Sequence, residues 1–350
     1  MWVFSFQRMP ELFSSFLRKV HETILSGQKY NFFEPTNILR KFFNEYYDKF
    51  NERPDEVTLS VNIDGVSPFK NAKYGAGFLL VLCKVNGLKK NLIFPLALCY
   101  GTSKPIDLEF LNDSVNALKG LLTNGLDGMS FKLKNIICDL PAKAFVKGVK
   151  QYNSYHGCDR CRIIGTREGR TMTIPFSRRP VQMRSDQDFR NHSEGDHQLD
   201  VETPFLRFDS YELDMIKDWL VDSMHCIYIG VCKKVLSIWI NGNAFFPKLL
   251  ENVKREIDNR IAIACKQIPN RTFEHKPNDI TDLDHWKADD FRVFSLYISI
   301  FALQVVQPQL YAHFLCLEIR IHILENQSYI ETHADYAHEL LVTFVRQSAQ

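Results

Sequence analysis

The chain has 350 residues, enough for one large domain or two ordinary ones, and its 45% hydrophobic and 24% charged residues are ordinary for a globular protein. A formal net charge of +2 argues neither for nor against nucleic acid, so any DNA-contacting surface has to be a local patch. Nine cysteines, an odd number in mostly apolar settings such as Leu82-Cys83 and Ile137-Cys138, point to buried thiols in a reducing compartment and away from a disulfide framework.

The N-terminus carries Trp2, Phe4 and Phe6 but no basic start followed by a long apolar stretch, so no secretory signal is expected. Leu12, Phe13, Phe16, Leu17, Val20 and Ile24 recur at helical spacing, and Ile38 to Phe50 repeats the pattern. Asn51-Glu-Arg-Pro54 breaks it. Val57, Leu59, Val61 and Ile63 then alternate with period two, and Gly77 to Val85 and Leu92 to Leu98 are β-rich runs joined through a hairpin signal at Val85-Asn-Gly87. Asp107 to Leu126 predicts an amphipathic helix, Phe131 to Cys138 a strand, and Pro141 the first turn of another helix. Three strands, a helix, a strand and a helix describe a mixed sheet packed by helices, an α/β fold.

From Tyr152 to about Ser210 the chain is polar, with little periodicity beyond a short strand at Thr171 to Ile174. Loops of that length are usually functional or anchored by something. Beyond Tyr211 the pattern is helical, over Leu213–Leu220, His225–Ile240, Leu249–Gln267, Leu283–Val306, Gln309–Leu324 and Tyr329–Gln347. The apolar run Val293 to Val306, interrupted by Ser295, Ser299 and Gln304, is too short to span a bilayer and reads as a buried helix. The expected organisation is 1–53 as a helical N-terminal segment, 54–151 as the sheet core, 152–210 as a polar Cys/His-containing insertion and 211–350 as a helical region.

Asp64 and Asp139 each stand at the end of a predicted strand, in Asn62-Ile-Asp-Gly65 and Ile136-Ile-Cys-Asp-Leu-Pro141. Strand ends present side chains to a cleft. If the two strands are neighbours, the two carboxylates repel unless a cation sits between them. Mg²⁺ or Mn²⁺ suits that role because it takes few carboxylates and keeps positions for water and phosphate oxygens. The plainer alternatives are an Asp-Gly turn for Asp64 and a helix cap for Asp139. Cys158-Asp-Arg-Cys161 has the spacing of half a Zn²⁺ site, for which His192, His197 and His225 are candidate partners. Candidate basic patches are Arg160, Arg162, Arg167 and Arg170, then Arg178, Arg179 and Arg184, and the pair Lys233-Lys234. Glycine-rich phosphate loops, nucleophile elbows and His-Glu-x-x-His patterns are absent from the sequence.

Several stretches together resemble the transposases of CACTA-like cut-and-paste DNA elements. They are Leu59-Ser-Val-Asn-Ile-Asp-Gly-Val-Ser-Pro-Phe-Lys70, Ser103-Lys-Pro105, Ile137-Cys-Asp-Leu-Pro-Ala-Lys-Ala144, Tyr155-His-Gly-Cys-Asp-Arg-Cys161, Asp188-Phe-Arg-Asn191, Asp222-Ser-Met-His225 with Gly230-Val231, and Trp286-Lys-Ala-Asp-Asp-Phe-Arg292. They fall in the family's order over about residues 57 to 345.

The resemblance implies a ribonuclease-H-like core interrupted by a helical insertion, with three acids that hold divalent metal. It implies Asp64 and Asp139 as the first two acids and Cys158 and Cys161 as a zinc half-site. It also implies DNA transposon ends as partner, self-association and a nuclear location, with no membrane. In such enzymes a His pair and the third acid come later, past Gln350 here, and Asp290 is not that acid. On this reading the chain is a catalytic core for strand cleavage and transfer that is inactive for want of its third acid. The alternatives are a non-catalytic module that binds DNA or protein, and a small nuclease completed by a local acid such as Asp107 or Glu109.

Overall fold

The computed structural model describes residues 23–25, 27–48, 52–66, 78–89, 92–101, 105–242, 246, 248–269, 273 and 275–348. The helical pattern over Leu12 to Val20 and the family-like words at 67–70 and 103–104 lie outside them. The chain divides into two compact units, one holding the residues up to 174 and 179–222, the other holding 175–178 and the chain from 223 onward.

The first unit is built on a seven-stranded mixed sheet. Strands β1 (Thr23–Leu25) and β2 (Gln28–Phe32) precede helix α1 (Pro35–Tyr46), and β3 (Glu56–Val66), β4 (Phe78–Asn86) and β5 (Leu92–Tyr100) follow as a meander. Helix α2 (Asn112–Asn124), β6 (Ser130–Cys138), α3 (Leu140–Lys147), the small hairpin β7 (Thr166–Glu168) with β8 (Thr171–Thr173), α4 (Asp186–Arg190) and β9 (Trp219–Val221) complete it. The sheet order is β1-β2-β5-β4-β3-β6-β9. The meander is antiparallel, while β6 runs parallel to β3 and β9 parallel to β6.

Local chemistry accounts for most of these elements. Val57, Leu59, Val61 and Ile63 are all buried, so the period-two pattern of β3 is one face laid on the core. Ile38, Leu39, Phe42 and Phe43 form the matching buried stripe of α1, which begins at Pro35 with Glu34 accepting a bond from the Thr36 N–H. Gly148 ends α3 at φ +67, and a Cβ there would meet the Val201 carbonyl oxygen at 2.5 Å. Only glycine lets the returning polar segment pass so close.

Three sequence expectations need correction. Ile24 lies in β1, not in a helix, and the 213–220 stretch is turns leading into β9. Its helical spacing arises because Leu213, Met215, Ile216 and Trp219 all pack into the sheet's own core. Apart from 175–178, the polar segment 152–210 belongs to the sheet unit, and the division between units falls after Asp222 rather than at 210.

The second unit is helical. A wide-turned π segment, Met224–Cys232, runs into α5 (Lys233–Asn241). Helices α6 (Glu251–Gln267), α7 (Ala288–Val293), α8 (Ser299–Ala302), α9 (Pro308–Glu325) and α10 (Gln327–Ser348) follow, with a second π segment at Phe294–Ile298. Its core holds Trp239, Phe291, Phe294, Ile298, Phe314, Leu317 and Ile321. The expected buried helix around 293–306 is there in broken form, and no described helix is long and apolar enough to cross a membrane.

Candidate active site

The sheet brings the two predicted aspartates side by side. Ile63 of β3 is in register with Cys138 of β6, so Asp64 and Asp139 each stand one residue beyond that pair on adjacent parallel strands. Registered residues of parallel strands point to the same face. The face concerned is the one carrying Asn62, Ile137 and Leu220, which are half-buried or exposed, while Ile63 and Cys138 face the core. Both carboxylates act on the Cys138 thiol. Burial pushes that thiol far above its ordinary range, Asp139 and Asp64 add to the shift, and Lys143 opposes it.

A third aspartate occupies the equivalent position on the next strand. Cys138 is in register with Val221 of β9, and the ladder continues as the Asp222 N–H donates to the Cys138 carbonyl at 2.8 Å. Asp64, Asp139 and Asp222 therefore stand at one level on three neighbouring parallel strands; Asp139 and Asp222 follow the ends of β6 and β9, while Asp64, expected at a strand end, lies within β3, which runs on to Val66 beside β4. Of the local acids, Asp107 follows β5, whose Cys99 aligns through Leu79 of β4 with Gly65 of β3, so it leaves the sheet at the same edge as Asp64, two strands away. Its charge acts on Cys99, and it accepts the Glu109 N–H.

Asp139 also performs the plainer role. Its Oδ1 accepts the Ala142 N–H at 2.6 Å, which caps α3. As arranged, no three His, Cys, Asp or Glu side chains among the described residues form a ready metal cage. The donor set nevertheless suits Mg²⁺ or Mn²⁺: it is made of hard carboxylate oxygens, and the backbones of β3, β6 and β9 hold them at one edge of the sheet.

The zinc expectation fares differently. The Cys158 and Cys161 sulfurs stand 3.4 Å apart, well beyond disulfide length and near the spacing of two thiolates on one ion. Neither His192 nor His197 joins them in a group of three. His192 is exposed and closes α4 in a left-handed conformation at φ 51. His197 is fully buried, with Nδ1 2.7 Å from the His156 carbonyl and Nε2 3.5 Å from Asp159 Oδ1. His225 belongs to the helical unit.

A buried ionic cluster, which sequence reading missed, anchors the polar segment. Asp159, between the two cysteines, pairs with Lys143 at 2.6 Å and Lys147 at 2.5 Å, both on α3 and both almost fully buried. The Lys147 ammonium also lies over the rings of Phe189 and Trp219 at 5.0 and 5.6 Å. Burial pulls Lys147 down to about 8 against the pull of Asp159. Burial pushes the Asp159 carboxyl up, but Lys147, His197 and Lys143 together hold it well below the usual range. Arg184, buried, pairs with Glu194 at 2.9 Å, and Arg162 bridges Glu194 and Asp188. Arg160 donates to the Ile216 carbonyl and, at 2.6 Å, to the Trp219 carbonyl.

Three of the arginines expected in a DNA-facing patch, Arg160, Arg162 and Arg184, are thus internal ligands of the fold. Arg167, Arg170, Arg178 and Arg179 remain exposed. Of the pair Lys233-Lys234, Lys233 lies 3.5 Å from Asp284 within the helical unit. No family model matches this chain, and comparison with curated proteins finds no match.

Proposed function

We propose that the sheet unit is a ribonuclease-H-like core for metal-dependent cleavage of DNA phosphodiester bonds, of the kind used by cut-and-paste transposases. The observation that carries the reading is the placement of Asp64, Asp139 and Asp222 at one level, within β3 and just past the ends of β6 and β9. An antiparallel meander followed by two strands parallel to its first member supports the same reading, because it gathers acids from distant parts of the chain at one sheet edge.

Asp222 supplies a local third acid, so the activity is proposed for this chain without an acid beyond residue 350. Asp64, Asp139 and Asp222 would hold Mg²⁺ or Mn²⁺, which supplies charge stabilisation for a transferring phosphoryl group. The chain's own part is positional. The strands fix the spacing of the carboxylates, and the cap on Ala142 limits Asp139 to one orientation and one open oxygen edge. Among the described residues no third ligand joins the two Cys sulfurs, and no step is assigned to zinc.

The test is nicking of end-labelled duplex DNA by the full chain in Mg²⁺ or Mn²⁺. Cleavage should fall at least 100-fold in Asp64→Asn, Asp139→Asn and Asp222→Asn, the scale expected for losing one such electrostatic element (roughly 10² or more). Cleavage that persists in Asp222→Asn rejects the three-acid site. DNA binding without cleavage by the wild type would favour a non-catalytic DNA-binding module instead.

A further inference from the structure

We infer that Asp159 and Arg160, the two residues between the paired cysteines, are positioning residues for the acidic site: they clamp β9 against α3 and so set where Asp222 stands beside Asp139. The inference rests on the three-acid reading above and assigns it a control element.

Strand β9 needs such a clamp. It is three residues long, it ends the sheet order, and among the described residues β6 is its only partner strand. Short edge strands hold register weakly, and a slip of one residue would turn Asp222 to the opposite face. The carbonyls of Ile216 and Trp219, just before and at the start of the strand, receive charged donors. Arg160 binds both, and Lys143 Nζ reaches Trp219 at 3.0 Å. Lys143 is in turn held by Asp159, and it lies one turn along the helix that Asp139 caps. One four-residue loop therefore grips both the strand that ends in Asp222 and the helix that begins at Asp139. Hydrogen bonds from charged groups are the stronger kind, and outer partners of metal ligands typically govern affinity by 10- to 100-fold.

Mn²⁺ binding to the full chain, followed by calorimetry and by the electron-paramagnetic signal of free ion, tests this without relying on turnover. Arg160→Lys and Arg160→Gln keep a donor for one carbonyl and so keep the fold, checked by circular dichroism. Both should weaken Mn²⁺ binding by about 10-fold or more, with Arg160→Gln the weaker binder. In cleavage assays KM for DNA should stay unchanged, and kcat should recover as Mn²⁺ is raised. Asp159→Asn should act in the same direction.

Binding in both Arg160 variants within twofold of wild type, while Asp222→Asn loses it, would overturn the clamp and leave the acidic site standing. Equal Mn²⁺ binding by wild type and Asp222→Asn, or none by wild type, would remove the acidic site and the clamp with it.

Discussion

Glu318 of α9 is wholly buried in the helical unit, and replacing it with glutamine gives the sharpest physical test of that core. Its Oε2 accepts from the Ser299 hydroxyl at 3.1 Å, and its Oε1 meets no donor among the described residues. Burial pushes the carboxyl up to about 8, with Ser299 and Ser295 opposing. The group is thus mostly protonated in the folded protein at neutral pH. An unfolded glutamate has the ordinary value of 4.5. Between those two values the folded state binds a proton that the unfolded state lacks. Stability is therefore full below about 4.5 and falls as pH rises towards 8. At about 1.4 kcal/mol per unit of pKa difference, the loss is at most roughly 5 kcal/mol, a large part of a typical domain's ~5–15 kcal/mol. Glu318→Gln removes the proton and keeps a polar group for Ser299. It should match wild type near pH 5 and exceed it by several kcal/mol (about 3–5, the same linkage) at pH 8. Urea unfolding followed by fluorescence, with Trp239 and Trp286 reporting on this unit, measures the difference. A gap that stays constant from pH 5 to pH 8 would refute the assignment of a buried, neutral carboxyl.

Asp159→Ala leaves Lys143 and Lys147 buried without their shared counter-charge, and should cost about 3–5 kcal/mol in the sheet unit by denaturant titration. Because Lys147 is pulled below its ordinary 10.5 to about 8, the unfolded chain binds more protons there. Stability should therefore climb with pH between about 8 and 10.5, and Lys147→Met should flatten that rise. Asp139→Asn keeps an acceptor for the Ala142 N–H and should stay within about 0.5 kcal/mol of wild type while losing cleavage. Asp139→Ala should lose cleavage and also about 1 kcal/mol of stability. Since ion pairs anchor the polar segment, chelator treatment or the double change Cys158→Ser with Cys161→Ser should shift the melting temperature by no more than about 4 °C, the equivalent of roughly 1 kcal/mol. A much larger drop would show that a bound metal orders it.

The sequence by itself determined what depends on near neighbours. Period-two burial marked β3, the Gly87 turn marked the β4–β5 hairpin, and Asp139 ahead of Leu-Pro marked both a strand end and a helix cap. Their expected strand-end positions paired Asp64 with Asp139, the family-like words matched the same two, and their strands do lie side by side. Asp222 carried the same signal, an apolar run ending in Asp at Trp219-Leu-Val-Asp222, but helical spacing just upstream hid it. A three-residue strand has too little periodicity to declare itself, and β9 is a strand only because β6 offers it a ladder. The inward arginines and the buried Lys143 and Lys147 gave no local sign at all, since such residues normally face water. Their burial follows from Asp159 and the Ile216 and Trp219 carbonyls arriving from 12 to 76 residues away, and only the folded chain brings those partners together.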